Sequence, residues 1–474
     1  MVEHFKQMIN NSKFISYLKG PDIFQNLWVN SFVFRILNTI VNLPIKFLRK
    51  IYYKWNNIFS SSFFLRILDY LCENFHHILG LFLIINMIIP DHRWYNKYGV
   101  ILTLLIFIMF LFKATIKKDI NIDLSQIDYM AVIFFLTIFI SAISSLFPKD
   151  SLNYLIYYFI TFLSVIIIVC SINSYEELDA LVKFMMLGVF LTAIYGIYQW
   201  KVVGIEVNPS LTDLTINQGV GGRVYSTMGN PNVYGELLVL TLPFFGSIIL
   251  NENSFFKKIF WIILSLPILL VLLKTSSRSA WIAFAIAVFI FIFLWNKKYT
   301  PYLILLGVVA LPFLPSSIYK RILTVFNPND TSLKYRKQIL GPAFAMLRDY
   351  WLTGVGLGSR IVNIIYQRYK SFGLTTVAHT HNLYVQLWLE AGICAIVSFM
   401  LTIFRLIRNT FVAIKEKNNP SINNILIASL SGILGLCVMG FADHIWFYNR
   451  LLFMFWINIS IILASLKLSK MENK

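Results

Sequence analysis

The segment from His379 to Gly392 carries the side chains best suited to proton chemistry. It reads His-Thr-His-Asn-Leu-Tyr-Val-Gln-Leu-Trp-Leu-Glu-Ala-Gly and puts an imidazole, His381, at the mouth of an apolar helix directly after the longest polar stretch of the chain. Asn382, Gln386 and Glu390 follow at a spacing of four, which aligns them as one polar stripe leading down from His381. Within an apolar run, such a stripe faces protein or water rather than lipid. Each residue also has a plainer reading. His381 can satisfy a backbone carbonyl, His379 offers the same chemistry two residues away, Asn382 can cap the helix, and Glu390 can bond a neighbouring helix.

Two arginines stand in similar surroundings. Arg278, in Lys-Thr-Ser-Ser-Arg-Ser-Ala-Trp, opens an apolar run with Ser276, Ser277 and Ser279 available as caps. Arg223 precedes Asn230, a candidate N-cap, and Pro231, a first helical residue. A guanidinium beside a helix amino terminus is an anion site; anchoring in lipid headgroups is the alternative for either arginine alone. Asp443 and His444 form another polar pair between two apolar runs, and that pair is equally a turn.

The elements that must position these groups follow from composition. With 58% hydrophobic and 13% charged residues among 474 and a mean hydropathy of +0.69, the chain is not water-soluble, and an all-α polytopic membrane protein is expected. Runs long enough to cross a bilayer lie at roughly 74–90, 99–114, 127–147, 152–172, 178–200, 232–250, 257–275, 279–296, 299–316, 382–407, 424–442 and 445–467. They predict about twelve transmembrane helices, the first interrupted by Asn86 and preceded by His76 and His77. Basic residues mark alternate connections, among them Lys117, Lys118, Lys257, Lys258, Lys297, Lys298, Arg408, Lys415 and Lys417, so both termini are expected in the cytoplasm.

Residues 1–70 read as a basic, aromatic-rich tail on the inner membrane surface, with Lys6, Lys13, Lys19, Arg35, Lys46, Arg49, Lys50, Lys54 and Arg66 and no cleavable signal pattern. Much of the net charge of +19 is thereby assigned to topology and lipid rather than to nucleic acid. Residues 71–474 form one membrane domain, interrupted by a large loop at 317–381. Within that loop, 335–351 is expected to be a helix with Ile339, Leu340, Phe344, Leu347 and Trp351 on one side. A second amphipathic piece is expected at 359–370. Gly354, Gly356 and Gly358 between them predict a tight turn, for which a phosphate cradle is the sharper reading and a roof over a cavity the blander one. Cys72, Cys170, Cys394 and Cys437 are scattered without metal-ligand spacing and read as small core residues.

Four pieces in order resemble the bacterial O-antigen ligase and polymerase superfamily: Gly-Arg-Val-Tyr-Ser-Thr-Met-Gly-Asn-Pro-Asn-Val-Tyr from Gly222, Ser-Arg-Ser-Ala-Trp from Ser277, Thr-Gly-Val-Gly-Leu-Gly from Thr353, and His-Asn-Leu-Tyr from His381 through Gly392. The resemblance spans roughly 220–460. It implies a glycosyltransferase of about twelve spans that needs neither metal nor cofactor. Such an enzyme moves a glycan from undecaprenyl diphosphate to a glycan or lipid acceptor at the outer face of the cytoplasmic membrane. Residue by residue, His381 resembles the essential loop histidine, Arg223 and Arg278 the diphosphate-contacting arginines, and Arg336 a further loop arginine. Asp349-Tyr350-Trp351 stands where the family often has a proline, and the long basic tail lies outside the pattern.

The chemistry implied is in-line attack of an acceptor hydroxyl on the sugar C1, inverting it, with an imidazole taking the proton and arginines receiving the diphosphate charge. Polymerase and ligase differ in acceptor, which no residue here fixes; Ile, Asn and Lys-rich usage hints at an AT-rich genome and a slight lean toward a polymerase or related cell-envelope glycan transfer. A small-anion transporter is the rival from another class, although neither an inverted repeat nor paired broken helices is evident. A flippase or scaffold of the same pathway would tolerate loss of His381.

Overall fold

A computed structural model describes residues 22–55, 62–207, 221–310, 312, 318–319, 321, 331–369, 377–416 and 419–472. Lys6, Lys13, Lys19, Lys417 and parts of the 317–381 loop lie outside them. The described chain is helical, and no strand occurs among these residues.

Its elements are α1 (Ile23–Asn30), α2 (Phe32–Lys54), α3 (Phe63–Glu73), α4 (Phe75–Ile88), α5 (Asn96–Ile116), α6 (Tyr129–Ile143), α7 (Pro148–Ser171), α8 (Tyr175–Tyr198), α9 (Pro231–Thr241), α10 (Pro243–Asn251), α11 (Phe255–Lys274), α12 (Arg278–Asn296), α13 (Thr300–Ala310), α14 (Thr331–Tyr350), α15 (Ser359–Tyr366), α16 (Leu383–Lys415), α17 (Pro420–Met439) and α18 (Asn449–Glu472). Among the described residues, nine helices are long and apolar enough to cross a membrane, or up to eleven if each bent pair is one span. Twelve spans remains an expectation beside the nine to eleven candidates among the described residues. The expected first span, 74–90, is α4, bent by 77° against α3. The expected 127–147 span is the short α6, and the expected 299–316 span is described only as α13.

Local chemistry explains the breaks. Asn230 caps α9 by accepting from Asn232 N, with Pro231 in the first turn. Pro243 then ends that helix because it has no N–H to continue the ladder, and Asn458 Nδ2 donates 3.1 Å to Leu240 O at the break. α18 packs at the centre, with every residue from Arg450 to Ser469 buried. Cys72, Cys170 and Cys437 are buried as expected, whereas Cys394 is exposed.

The helix ends define two faces. On one lie His381, Arg223, Arg278 and the described parts of the 317–381 loop; on the other lie residue 22, the 117–128 connection and the end of α18. Arg405 on α16 ties the tail to that second face, bonding Asp128 at 2.7 Å and Asp22 at 2.6 Å. Along the same face Gln25, Asn42 and Arg49 bond the backbone of Ile127, Ile122 and Ala114. The opposite sides of α1 and α2 leave Phe24, Leu27, Phe32, Leu43 and Phe47 exposed.

The loop helices build a second apolar core on the His381 face. Ile339, Ala343, Met346 and Leu347 of α14 meet Ile361, Val362, Ile365 and Tyr366 of α15 and Val385 and Leu389 of α16. The buried side of α14 agrees with the expected one at Ile339 and Leu347, with Leu340 packed against the same core, and differs at its other positions. Phe344 and Trp351 are exposed and Ala343 and Met346 are buried, because the helix packs against α15 and α16 rather than against a flat surface.

Candidate active site

Asn382 caps α16 by accepting from Val385 N at 3.0 Å. That cap fixes the chain entry, and Leu383 N bonds Gly440 O at 2.8 Å, tying the start of α16 to the end of α17. His381 stands immediately before the cap in the left-handed region, with φ of 49°. A non-glycine residue held there is strained, and the surrounding bonds must enforce it. Its own N–H donates to His379 Nδ1 at 3.1 Å, Thr380 N donates to Gln386 Oε1 at 3.0 Å, and Gln386 Nε2 donates to Glu390 Oε1 at 2.7 Å. Gln386 and Glu390 thus form a buried strut under the histidine loop.

His381 Nδ1 lies 3.2 Å from Asp443 Oδ1. Burial alone would raise the Asp443 carboxyl. The hydrogen bond from His381 and the fields of His379, His381 and Arg336 outweigh it and hold the group well below the usual carboxylate range. An ionised Asp443 makes Nδ1 the donor and leaves Nε2 as the basic nitrogen. His379, whose ring centroid is 4.1 Å from that of His381, is pushed down to about 4, chiefly by burial and further by His381 and Arg336, against the pull of Asp443. It is a neutral hydrogen-bonding partner at pH 7.

Three of the arginines on this face are those singled out in the sequence: Arg223, Arg278 and Arg336. Arg223 is buried, donating to Thr275 O at 2.8 Å and Asn232 Oδ1 at 2.6 Å. Burial first, then the neighbouring charges of Arg321 and Arg278, bring it down to about 9, while Asp443 acts to raise it. Arg278 opens α12. Ser277 holds the N-cap position but makes no capping bond; its hydroxyl sits 3.3 Å from that of Ser279, so the expected serine cap is not made. Arg336 is within electrostatic reach of His379 and Asp443. The structure thus gathers His381 and Arg336 at Asp443, and Arg223 with Arg278, with Asp443 also within reach of Arg223. Asn382 caps, and Gln386 and Glu390 support from beneath.

Three neighbours escape the sequence reading. Arg321 bonds Ser276 O at 3.4 Å but sits in the loop without a motif. Glu236, buried on α9, lies within electrostatic reach of Asp443. Arg450 is a rivet, donating to Asn86, Met87, Ile89 and Thr227 carbonyls. Asp443 was visible as a pair with His444 and not as the partner of His381. A cavity of about 450 Å³ opens beside Arg223, lined also by Asp91, Tyr195, Gln199 and Tyr225.

Backbone geometry decides the role of the glycine turn. Gly392 breaks α16 with φ 76° and ψ −179°, which exposes carbonyls that the turn then takes up. Val355 N donates to Leu389 O at 2.8 Å, Gly356 N to Glu390 O at 3.0 Å, and Gly354 N to Tyr350 O at 2.9 Å. Leu357 N donates to Ser151 Oγ at 2.8 Å. With these N–H groups engaged, the turn is a clasp holding the loop helices on α16 and not a phosphate cradle.

His379, His381 and Asp443 also place three donor atoms within 4.8 Å of one another, a set able to hold a metal ion. His381 Nδ1 already bonds Asp443 Oδ1, His379 Nδ1 accepts from the His381 backbone N–H, and Arg336 adds positive charge beside them. That field opposes a dication.

No curated protein matches the chain. Residues 262–400 match the family model described as O-antigen ligase, a stretch that holds Arg278, Arg336, His381, Asn382, Gln386 and Glu390, while Arg223 and Asp443 lie outside it. Over that stretch, set on a helical multi-pass scaffold, the chain is similar to the O-antigen ligase family.

Proposed function

We propose that the protein is a metal-independent, inverting glycosyltransferase that moves an undecaprenyl-diphosphate-linked glycan to an acceptor hydroxyl at the outer face of the cytoplasmic membrane. The contact that carries this reading is His381 Nδ1 to Asp443 Oδ1 at 3.2 Å, on the face shared by Arg223, Arg278 and Arg336. The acceptor oxygen forms the new bond to C1 as the C1–O bond to the diphosphate breaks. His381 Nε2 takes the hydroxyl proton, and Asp443 stabilises the resulting imidazolium. The arginines receive the charge that builds on the departing undecaprenyl diphosphate. Asn382, Gln386 and Glu390 hold the imidazole in place.

In this reading the His381 face is extracytoplasmic and both termini are cytoplasmic. α1 and α2, whose polar sides bond the 114–127 connection and whose apolar sides are exposed, rest on the inner leaflet. The donor's polyprenyl tail lies against the apolar outer surface of the bundle.

The test is transfer by purified protein in vesicles, with the lipid-linked glycan supplied. His381→Ala is expected to lower transfer by about 10² to 10⁴. Undiminished transfer removes His381 from the mechanism, and uptake of a small anion without glycan transfer would replace the reading altogether.

A further inference from the structure

A second cavity, of about 420 Å³, opens on the His381 face and shares no lining residue with the one beside Arg223. Its volume is that of a small-molecule site. Asn96 stands at the start of α5, Asp150 and Asn153 on the first two turns of α7, Tyr157 one turn further, Phe447 on the connection into α18 and Asn449 at its first residue.

These side chains are of one chemical kind. Three amides and a carboxylate offer paired donors and acceptors matched to neighbouring hydroxyls, and the tyrosine and phenylalanine rings offer flat apolar faces. Asp150 has Arg360 at 3.4 Å, so the wall carries little net charge, unlike the arginine cluster around Arg223. Asn449 Oδ1 is buried without a hydrogen-bond partner. An acceptor in that state is costly unless a ligand or a water reaches it. A space of about 20 Å³, room for one water, continues past Asn96, Tyr157 and Asn449 to Trp94, whose indole nitrogen is also buried and unpartnered.

The cavity is coupled to the reacting centre. Phe447 packs on His379 with ring centroids 4.6 Å apart, and His379 is one ring contact from His381. The glycine clasp supplies another wall through Gly358 and Ser359, so the elements that hold α16 in place also border this space.

Resting on the glycosyltransferase reading, we propose that this cavity is the acceptor subsite and binds an uncharged, hydroxyl-rich saccharide through Asn96, Asn153, Asn449 and the faces of Tyr157 and Phe447. The diphosphate is left to the arginine side.

The probe is the free oligosaccharide released by mild acid from the organism's own lipid-linked repeat units, titrated by tryptophan fluorescence into the full chain in vesicles. Asn96 and Asn153 are exposed, so Asn96→Ala and Asn153→Ala leave folding intact. Each is expected to weaken saccharide binding about tenfold, the loss of one or two hydrogen bonds, and the double variant more. Equal binding by wild type and both variants, or no binding by wild type, overturns the subsite. Transfer by the wild type is measured in the same preparation. Transfer with unchanged binding in the variants sinks the subsite alone, and absence of transfer sinks the glycosyltransferase reading instead.

Discussion

His381 Nδ1 and the backbone N–H of His444 converge on one oxygen of Asp443, at 3.2 Å and 2.9 Å. The backbone bond orients the carboxylate, and the carboxylate selects the tautomer of His381. Asp443→Asn keeps the shape but can present its N–H to Nδ1, which would leave the hydrogen on Nε2. The expected loss in transfer is about 10² to 10⁴, comparable to His381→Ala, with the melting temperature little changed. Transfer within a few-fold of wild type would mean that Asp443 only packs.

Arg278→Lys keeps the charge and loses the planar fork. Given a bidentate contact with diphosphate, turnover is expected to fall by roughly 10- to 100-fold, the worth of a charge-assisted hydrogen bond. Transfer kinetics with the lipid-linked donor decide it; normal kinetics would make Arg278 a headgroup anchor.

Much of this arrangement is legible in the sequence, for reasons of period and position. Asn382, Gln386 and Glu390 follow a helical spacing, and a helix converts spacing directly into one face. Asn230-Pro231 announces its helix start because the cap and the missing N–H are local chemistry. Asp443 is different: it meets His381 across 62 residues of chain, and no local pattern encodes that pairing. Arg321 likewise reaches Ser276 only through the fold. Ile339 and Leu347 of the periodic stripe on α14 are buried, whereas Phe344 on that helix and Trp351 just beyond it are exposed, since the period gives a broad face and packing on α15 and α16 chooses which part of it is buried.

Gly392 tests the clasp. A Cβ there would lie 2.1 Å from Leu352 O, in a backbone conformation with φ 76° and ψ −179° that side chains avoid. Gly392→Ala is expected to destabilise the fold by at least about 3 kcal/mol, strain and backbone clash together. Thermal unfolding followed by intrinsic fluorescence measures it. A melting temperature equal to wild type would show that the break in α16 is not needed.

Chelation separates the two uses of the histidine cluster. His379, His381 and Asp443 can hold a metal, but His381 bonds Asp443, and His379 Nδ1 accepts from the His381 backbone, beside Arg336. Dialysis against a chelator is expected to leave transfer unchanged. Loss of transfer restored by added zinc would make the cluster a metal centre and displace His381 as the base.

Acid should loosen this face before it denatures the bundle. His379 is held down to about 4 and His444 well below its ordinary value, both chiefly by burial. In the unfolded chain each binds a proton near pH 6.5. Between about pH 6.5 and 4 the unfolded state therefore holds more protons than the folded one, and stability falls as pH falls. For His379 alone the loss by pH 4 is on the order of 3 kcal/mol. Asp443, with its folded value depressed, contributes stability that is fully present in this window and is lost only at lower pH, so it does not mask the effect. His379→Gln, which cannot protonate, is expected to flatten the dependence. The check is the melting temperature of wild type and variant at intervals from pH 7 to 4; identical slopes would show that His379 takes up its proton without cost to the fold.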